Sequence, residues 1–277
     1  MNKTKKQYHF LSGMPRSGAT VLSSILSQNP AIHATGTSHL YNIYRLVDTN
    51  VDICFNDISK QRFPVYRSLM ETYHQHIDKP VIVNKNHGWT ECISLLEQTL
   101  EQKPKIITTV RDITEIYASM LLVIDKHTPG FFTNLLMERG LTDTVRNRCE
   151  ILWSNRGHGM NGRANAITGI HLAYNALKRA FSNYRDCLHI VEYDDIVNNT
   201  DKTIKGIYNF LELKPYKHSY KDLINREPED DVKMYGIKGL HDVQPVLKRY
   251  SPPAIKVLGK ETFNHYTNLK LEFWKNK

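Results

Sequence analysis

Apolar residues fall in short blocks separated by polar and Gly/Pro-containing turns. Residues 8–12 form an apolar run that stops at a glycine, and read as a buried strand. Residues 80–84 (Pro-Val-Ile-Val-Asn), 105–110 (Lys-Ile-Ile-Thr-Thr-Val) and 187–192 read as three more strands, rich in β-branched residues. Helical stretches alternate with them. The first covers 21–26 and stops ahead of Asn29-Pro30, because proline disfavours helix at the residue before it. Others cover 94–102, 113–123 and 203–211, the last with Ile204, Ile207, Tyr208 and Leu211 on one face.

Strands that are apolar throughout need cover on both faces, so the alternation predicts a central parallel sheet flanked by helices, a three-layer α/β fold. In such sheets ligands bind outside the carboxyl ends of the strands. Residues 128–165 break the alternation with Pro129, Gly130, Gly140, Gly157, Gly159 and Gly162. They read as an insertion on the substrate side of one domain spanning 1–277, followed by a helix over 166–184.

Composition adds three constraints. The 277 residues are 40% hydrophobic and 23% charged, which suits a globular chain with its own core. The net charge of +9 favours an anionic ligand. Cys54, Cys92, Cys149 and Cys187 are widely spaced and form no C-x-x-C pair, which argues against a zinc site and fits a reducing, cytoplasmic setting. No stretch approaches the roughly 20 apolar residues of a membrane span. Behind the basic residues 1–6, Arg16 interrupts any apolar run of signal-peptide length. No metal-ligand spacing stands out, so neither a metal nor a nucleic-acid partner is expected.

The chemistry is concentrated at the ends of the predicted strands. Gly13-Met14-Pro15-Arg16-Ser17-Gly18-Ala19-Thr20 joins the first strand to the first helix, the context of a phosphate-binding loop. Its two glycines have the spacing of G-x-x-x-x-G-K-[ST], but Ala19 stands where that pattern has the lysine used on nucleoside triphosphates. Arg16 supplies a cation inside the loop instead. Val110-Arg111-Asp112 ends the third predicted strand, with Ser119 two turns along the next helix, so a guanidinium fork and a hydroxyl can share one phosphate. Asn84-Lys85-Asn86-His87 ends the second. Histidine suits proton transfer near neutral pH, and lysine suits charge developing on a leaving oxygen.

The segment 14–20 resembles the Pro-(Lys/Arg)-Ser-Gly-Thr-Thr loop of the sulfotransferases, which use 3′-phosphoadenosine 5′-phosphosulfate (PAPS). The resemblance runs in order from about residue 9 to 213. It implies that Arg16, Ser17, Gly18, Ala19 and Thr20 hold the 5′-phosphosulfate, and that Arg111 and Ser119 hold the 3′-phosphate. Tyr193, in Val-Glu-Tyr-Asp-Asp-Ile, then approaches the adenine. Lys85-Asn86-His87 resembles the Lys-x-His segment of the cytosolic branch, which makes His87 the general base beside Lys85. Gly36-Thr37-Ser38-His39 stands where the protein-tyrosine branch has a glutamate-containing segment, so His39 is a second candidate base. Lys238, Lys248 or Arg249 could complete the 3′-phosphate pocket, and Arg146, Arg148, Arg156 and Arg163 could receive an anionic acceptor. The expected partners are PAPS and an unidentified small-molecule, glycan or peptide acceptor. A P-loop small-molecule kinase and a non-catalytic nucleotide- or polyanion-binding protein are the alternative classes.

Overall fold

The computed structural model describes residues 6–154 and 169–275. Five strands form one sheet: β1 (Gln7–Gly13), β2 (Ile32–Thr37), β3 (Val81–Lys85), β4 (Ile106–Val110) and β5 (Leu188–Glu192). Their order is β2-β3-β1-β4-β5, and every pairing is parallel. The expected four strands are present. β2 is the addition, an edge strand of mixed sequence (Ile-His-Ala-Thr-Gly-Thr) whose threonines, histidine and glycine dilute any apolar pattern.

Neighbouring residues of each inner strand feed opposite cores. Phe10 pairs with Ile106, and both join one apolar cluster. Leu11 pairs with Ile107, and both join the other. The helices Ile93–Leu100, Ile113–His127, Ile170–Asn183 and Ala254–Asn268 cover the first face. The helices Ala19–Leu26 and Thr200–Leu211 cover the second. The three-layer arrangement follows from this alternation, since each strand must bury both of its faces.

The expected insertion at 128–165 is helical where it is described. Phe131–Met137 and Val145–Trp153 are helices, and Phe132, Leu135, Leu136, Cys149, Ile151 and Leu152 join the first core. Residues 155–165, with Arg156 and Arg163, lie outside the described residues, as do positions 166–168 of the helix expected there. Among the described residues no helix is long and apolar enough to cross a membrane.

Candidate functional site

β1 is central, and the chain winds to β3 and β2 on one side and to β4 and β5 on the other. The loop after β1 therefore opens where the direction of winding reverses, the usual ligand position in such sheets. The close approach of β4 shapes that loop. Gly13 has φ +124°, and a Cβ there would stand 2.1 Å from the Thr109 carbonyl oxygen. Ser17 is fully buried beneath the loop. Its hydroxyl donates to the Thr109 carbonyl at 3.1 Å and lies 2.6 Å from the Thr109 hydroxyl. Its side chain thus braces the loop, and its contribution to an anion is limited to the backbone N–H. Gly18, at φ +94°, is the N-cap of Ala19–Leu26, and no side chain caps that helix. The first N–H groups of a helix have no intrahelical partner, so this end is a ready anion site.

Two cations converge on the loop. Arg16 itself takes a left-handed backbone conformation, φ 58°. Its Nε donates to the Ser119 hydroxyl at 3.1 Å, and its Nη1 donates to the Leu240 carbonyl. Burial, with Arg111 nearby, lowers the guanidinium to about 10, so it stays protonated at neutral pH. Lys85 arrives from the end of β3, and its side chain is 2% exposed. Its ammonium donates to the Thr20 hydroxyl at 3.1 Å and pairs with Glu229 Oε1 at 3.3 Å. Burial lowers the Lys85 pKa, and Glu229 works against that shift. The lysine missing at Ala19 is thus replaced spatially by one from the adjacent strand.

A cavity of about 360 Å³ extends from this loop. Arg16, Gly18, Ala19, Thr20, His87, Arg111, Ser119 and Tyr193 all line it, so the three strand-end motifs meet. Arg111 donates to the Arg16 carbonyl at 3.1 Å, pairs with Glu115 at 2.9 Å, and lies 4.0 Å above the Tyr193 ring centroid. Its buried Nε has no partner among the described residues. Arg249 also pairs with Glu115, at 2.8 Å, and with Asp194. Lys248 lines the cavity, whereas Lys238 is exposed and does not.

His87 opens a short 3-10 turn after β3. Its Nδ1 lies 2.8 Å from the Gly13 carbonyl, so Nδ1 carries the proton. Burial and then Lys85 pull its pKa down to about 4. His39 falls elsewhere. It is exposed and faces a second cavity lined by His33, His74, His76 and Glu227. The described arginines of the insertion are also turned away from the loop: Arg148 pairs with Asp125 and Asp143, and Arg146 meets His265.

One wall of the cavity carries no motif recognisable in the sequence. Residues 235–242 close the cavity, with His241 on its lining and Asp231 and Glu229 against the His241 ring. Glu229 receives the Thr37 N–H at 2.7 Å and the Tyr235 hydroxyl at 3.2 Å besides Lys85. Burial alone would raise its carboxyl, but Lys85, His241 and the Thr37 contact more than offset this and hold it low. The donor atoms of Glu229, Asp231 and His241 lie within 4.8 Å of one another. The Lys85 ammonium and the His241 ring Nδ1–H already donate to these carboxylates. The only signal in the sequence is an acidic run, Glu-Asp-Asp, followed ten residues later by a histidine.

The parallel sheet thus carries an uncapped helix N-terminus at its centre, with two cations beside it. The sequence matches the sulfotransferase family over residues 9–217, and the chain belongs to that family. It is an enzyme of sulfuryl transfer. No curated protein matches the sequence. Among solved structures, mouse sulfotransferase SULT7A1 complexed with PAP is similar at 15% identity and a TM-score of 0.52, covering 100% of this chain and 87% of that one. The sulfotransferase domain from the curacin biosynthetic pathway is similar at 14% identity and a TM-score of 0.49, covering 97% and 99%. The first of these likenesses supports the fold.

Proposed function

We propose that PAPS is the sulfuryl donor and that an acceptor hydroxyl or amine attacks its sulfur in the cavity beside Lys85. The observation that carries this reading is the Lys85 to Thr20 contact at the uncapped helix end, which sets a buried ammonium against the loop that would hold the 5′-phosphosulfate. The bond between sulfur and the bridging phosphate oxygen breaks as the acceptor–sulfur bond forms. Its electron pair goes to the phosphate of the departing adenosine 3′,5′-bisphosphate (PAP). Lys85 and Arg16 oppose that growing charge, a stabilisation that acts strongly in a water-poor site. Holding donor and acceptor in line supplies the rest, as in phosphoryl transfer.

Arg111, Ser119 and the nearby Arg249 support a place for the 3′-phosphate, with Tyr193 against Gly18 at its edge. His87, the base expected from the motif, and His241 stand on the same wall, and one of them takes the acceptor's proton. A cytoplasmic setting fits the four unpaired cysteines. Thermal shift with PAP, PAPS and ATP tests the donor, because a ligand of the folded state raises its apparent stability. Stabilisation by PAP and PAPS but not ATP supports the reading, and stabilisation by ATP alone overturns it in favour of a kinase.

A further inference from the structure

His241 is fixed from three directions. The residue before it, Leu240, accepts a hydrogen bond from Arg16 of the phosphate loop. Its own backbone N–H donates to Asp231 Oδ2 at 2.9 Å. Its ring Nδ1 lies 2.6 Å from Asp231 Oδ1 and 3.6 Å from Glu229 Oε2. A carboxylate only accepts, so Nδ1 carries the proton and Nε2 keeps the lone pair. The ring lines the cavity with Arg16, Thr20 and His87. A continuous chain of contacts, Thr20 to Lys85 to Glu229 to His241, joins it to the phosphate loop.

We propose that His241, oriented by Asp231, is the general base that takes the acceptor's proton. The inference rests on the sulfuryl-transfer reading above. As the acceptor oxygen or nitrogen bonds to sulfur, its proton moves to His241 Nε2, and the bridging oxygen leaves with its electron pair on PAP. The imidazolium so formed faces the Asp231 carboxylate, which stabilises it. Asp231 is a positioning residue.

His39 faces the second cavity, and the other two proton acceptors near the loop, His87 and Glu229, are poorer bases. His87 hydrogen-bonds to a neutral carbonyl, and Lys85 close by opposes its imidazolium more than the Glu229 carboxylate favours it. Its place is under Gly13, where it braces the loop. Glu229 already accepts from Thr37, Lys85 and Tyr235, which hold it as a carboxylate and occupy its lone pairs. Around His241 the charged and titratable neighbours are Asp231, Glu229 and Tyr235 on its own segment, Lys85 and His87 from the end of β3, and Arg16 from the loop.

The test follows labelled PAPS against a panel of phenols, alcohols and amines, with water as a further acceptor, alongside PAP affinity. His241→Asn should lower turnover by about 100-fold or more, the usual scale of a general base, while PAP affinity stays within about threefold. His87→Asn should lose less than about tenfold. Asp231→Asn should lower kcat with KM and PAP affinity little changed, and Asp231→Glu should recover part of the loss, because the carboxylate holds the Nδ1–H that aims Nε2 at the acceptor. Retained turnover in His241→Asn overturns the proposal. So does collapse in His87→Asn alone, or loss of PAP binding in His241→Asn. If the wild type binds PAP yet transfers the label to nothing, water included, the sulfuryl-transfer reading itself fails.

Discussion

The Lys85 ammonium meets the Thr20 hydroxyl at 3.1 Å, although 65 residues separate them. The phosphate loop has alanine where a nucleoside-triphosphate enzyme has lysine, and β3 delivers a lysine to its rim. If the loop holds the 5′-phosphosulfate as proposed, this buried ammonium acts on charge that grows in the transition state. Lys85→Ala is therefore expected to lower kcat by about 100- to 1,000-fold while changing PAP affinity far less. Steady-state kinetics with a parallel binding titration would check this. Loss confined to KM would contradict it.

Arg111 and Ser119 make a prediction about nucleotide choice. If they hold the 3′-phosphate, Arg111→Ala should weaken PAP by about 10- to 100-fold, the scale of a charge-assisted hydrogen bond. Binding of adenosine 5′-phosphate, which has no 3′-phosphate, should barely change. Equal losses for the two nucleotides would place Arg111 elsewhere.

Gly13 is constrained by sterics alone. Alanine there needs φ +124° and pushes a methyl into the Thr109 carbonyl. Strain at one such residue costs about 1–3 kcal/mol, and the clash adds to it. Gly13→Ala should therefore lose several-fold more stability than Gly140→Ala, where a Cβ meets nothing within 4 Å. Gly140, at φ 62°, lies in the left-handed region that L residues enter at modest cost, so chemical denaturation of the pair reads the clash together with the extra strain at φ +124°.

His9 and His74 tie stability to pH. Burial lowers both to about 4, and both ring nitrogens of His9 are buried without a partner among the described residues. Their folded pKa lies below the unfolded value near 6.5, so the unfolded chain binds more protons between about pH 4 and 6.5. Stability is full above that window and falls as the pH drops through it. His9→Leu should flatten the fall, as read by thermal melts across pH 4–7. An unchanged slope would assign the acid loss to other groups.

How far the sequence carried this picture differs between its parts. β1, β3 and β4 show as apolar runs because they are buried between the two helical layers, and β5, although an edge strand like β2, shows through Leu188, Ile190 and Val191. β2 does not, since an edge strand tolerates His33, Thr35 and Gly36. The loop 13–20, Lys85 and Arg111 were readable because each stands at the end of a visible strand, and Ser119 because it lies two turns along the helix after Arg111. Glu229, Asp231 and His241 were not. Their segment has only the short helix Asp231–Tyr235 and no periodicity. Its position depends on long-range contacts, Thr37 with Glu229 and Arg16 with Leu240. The insertion was expected to shape the acceptor side; its helices Phe131–Met137 and Val145–Trp153 pack into the core, its residues 155–165 lie outside the described residues, and residues 235–251 supply much of the cavity lining.

The most direct test of the whole account is to incubate the purified chain with ³⁵S-labelled PAPS and the acceptor panel, and to measure labelled product together with PAP. The account predicts equimolar labelled product and PAP, with both lost in Lys85→Ala. PAPS left intact under conditions where ATP is consumed would contradict it.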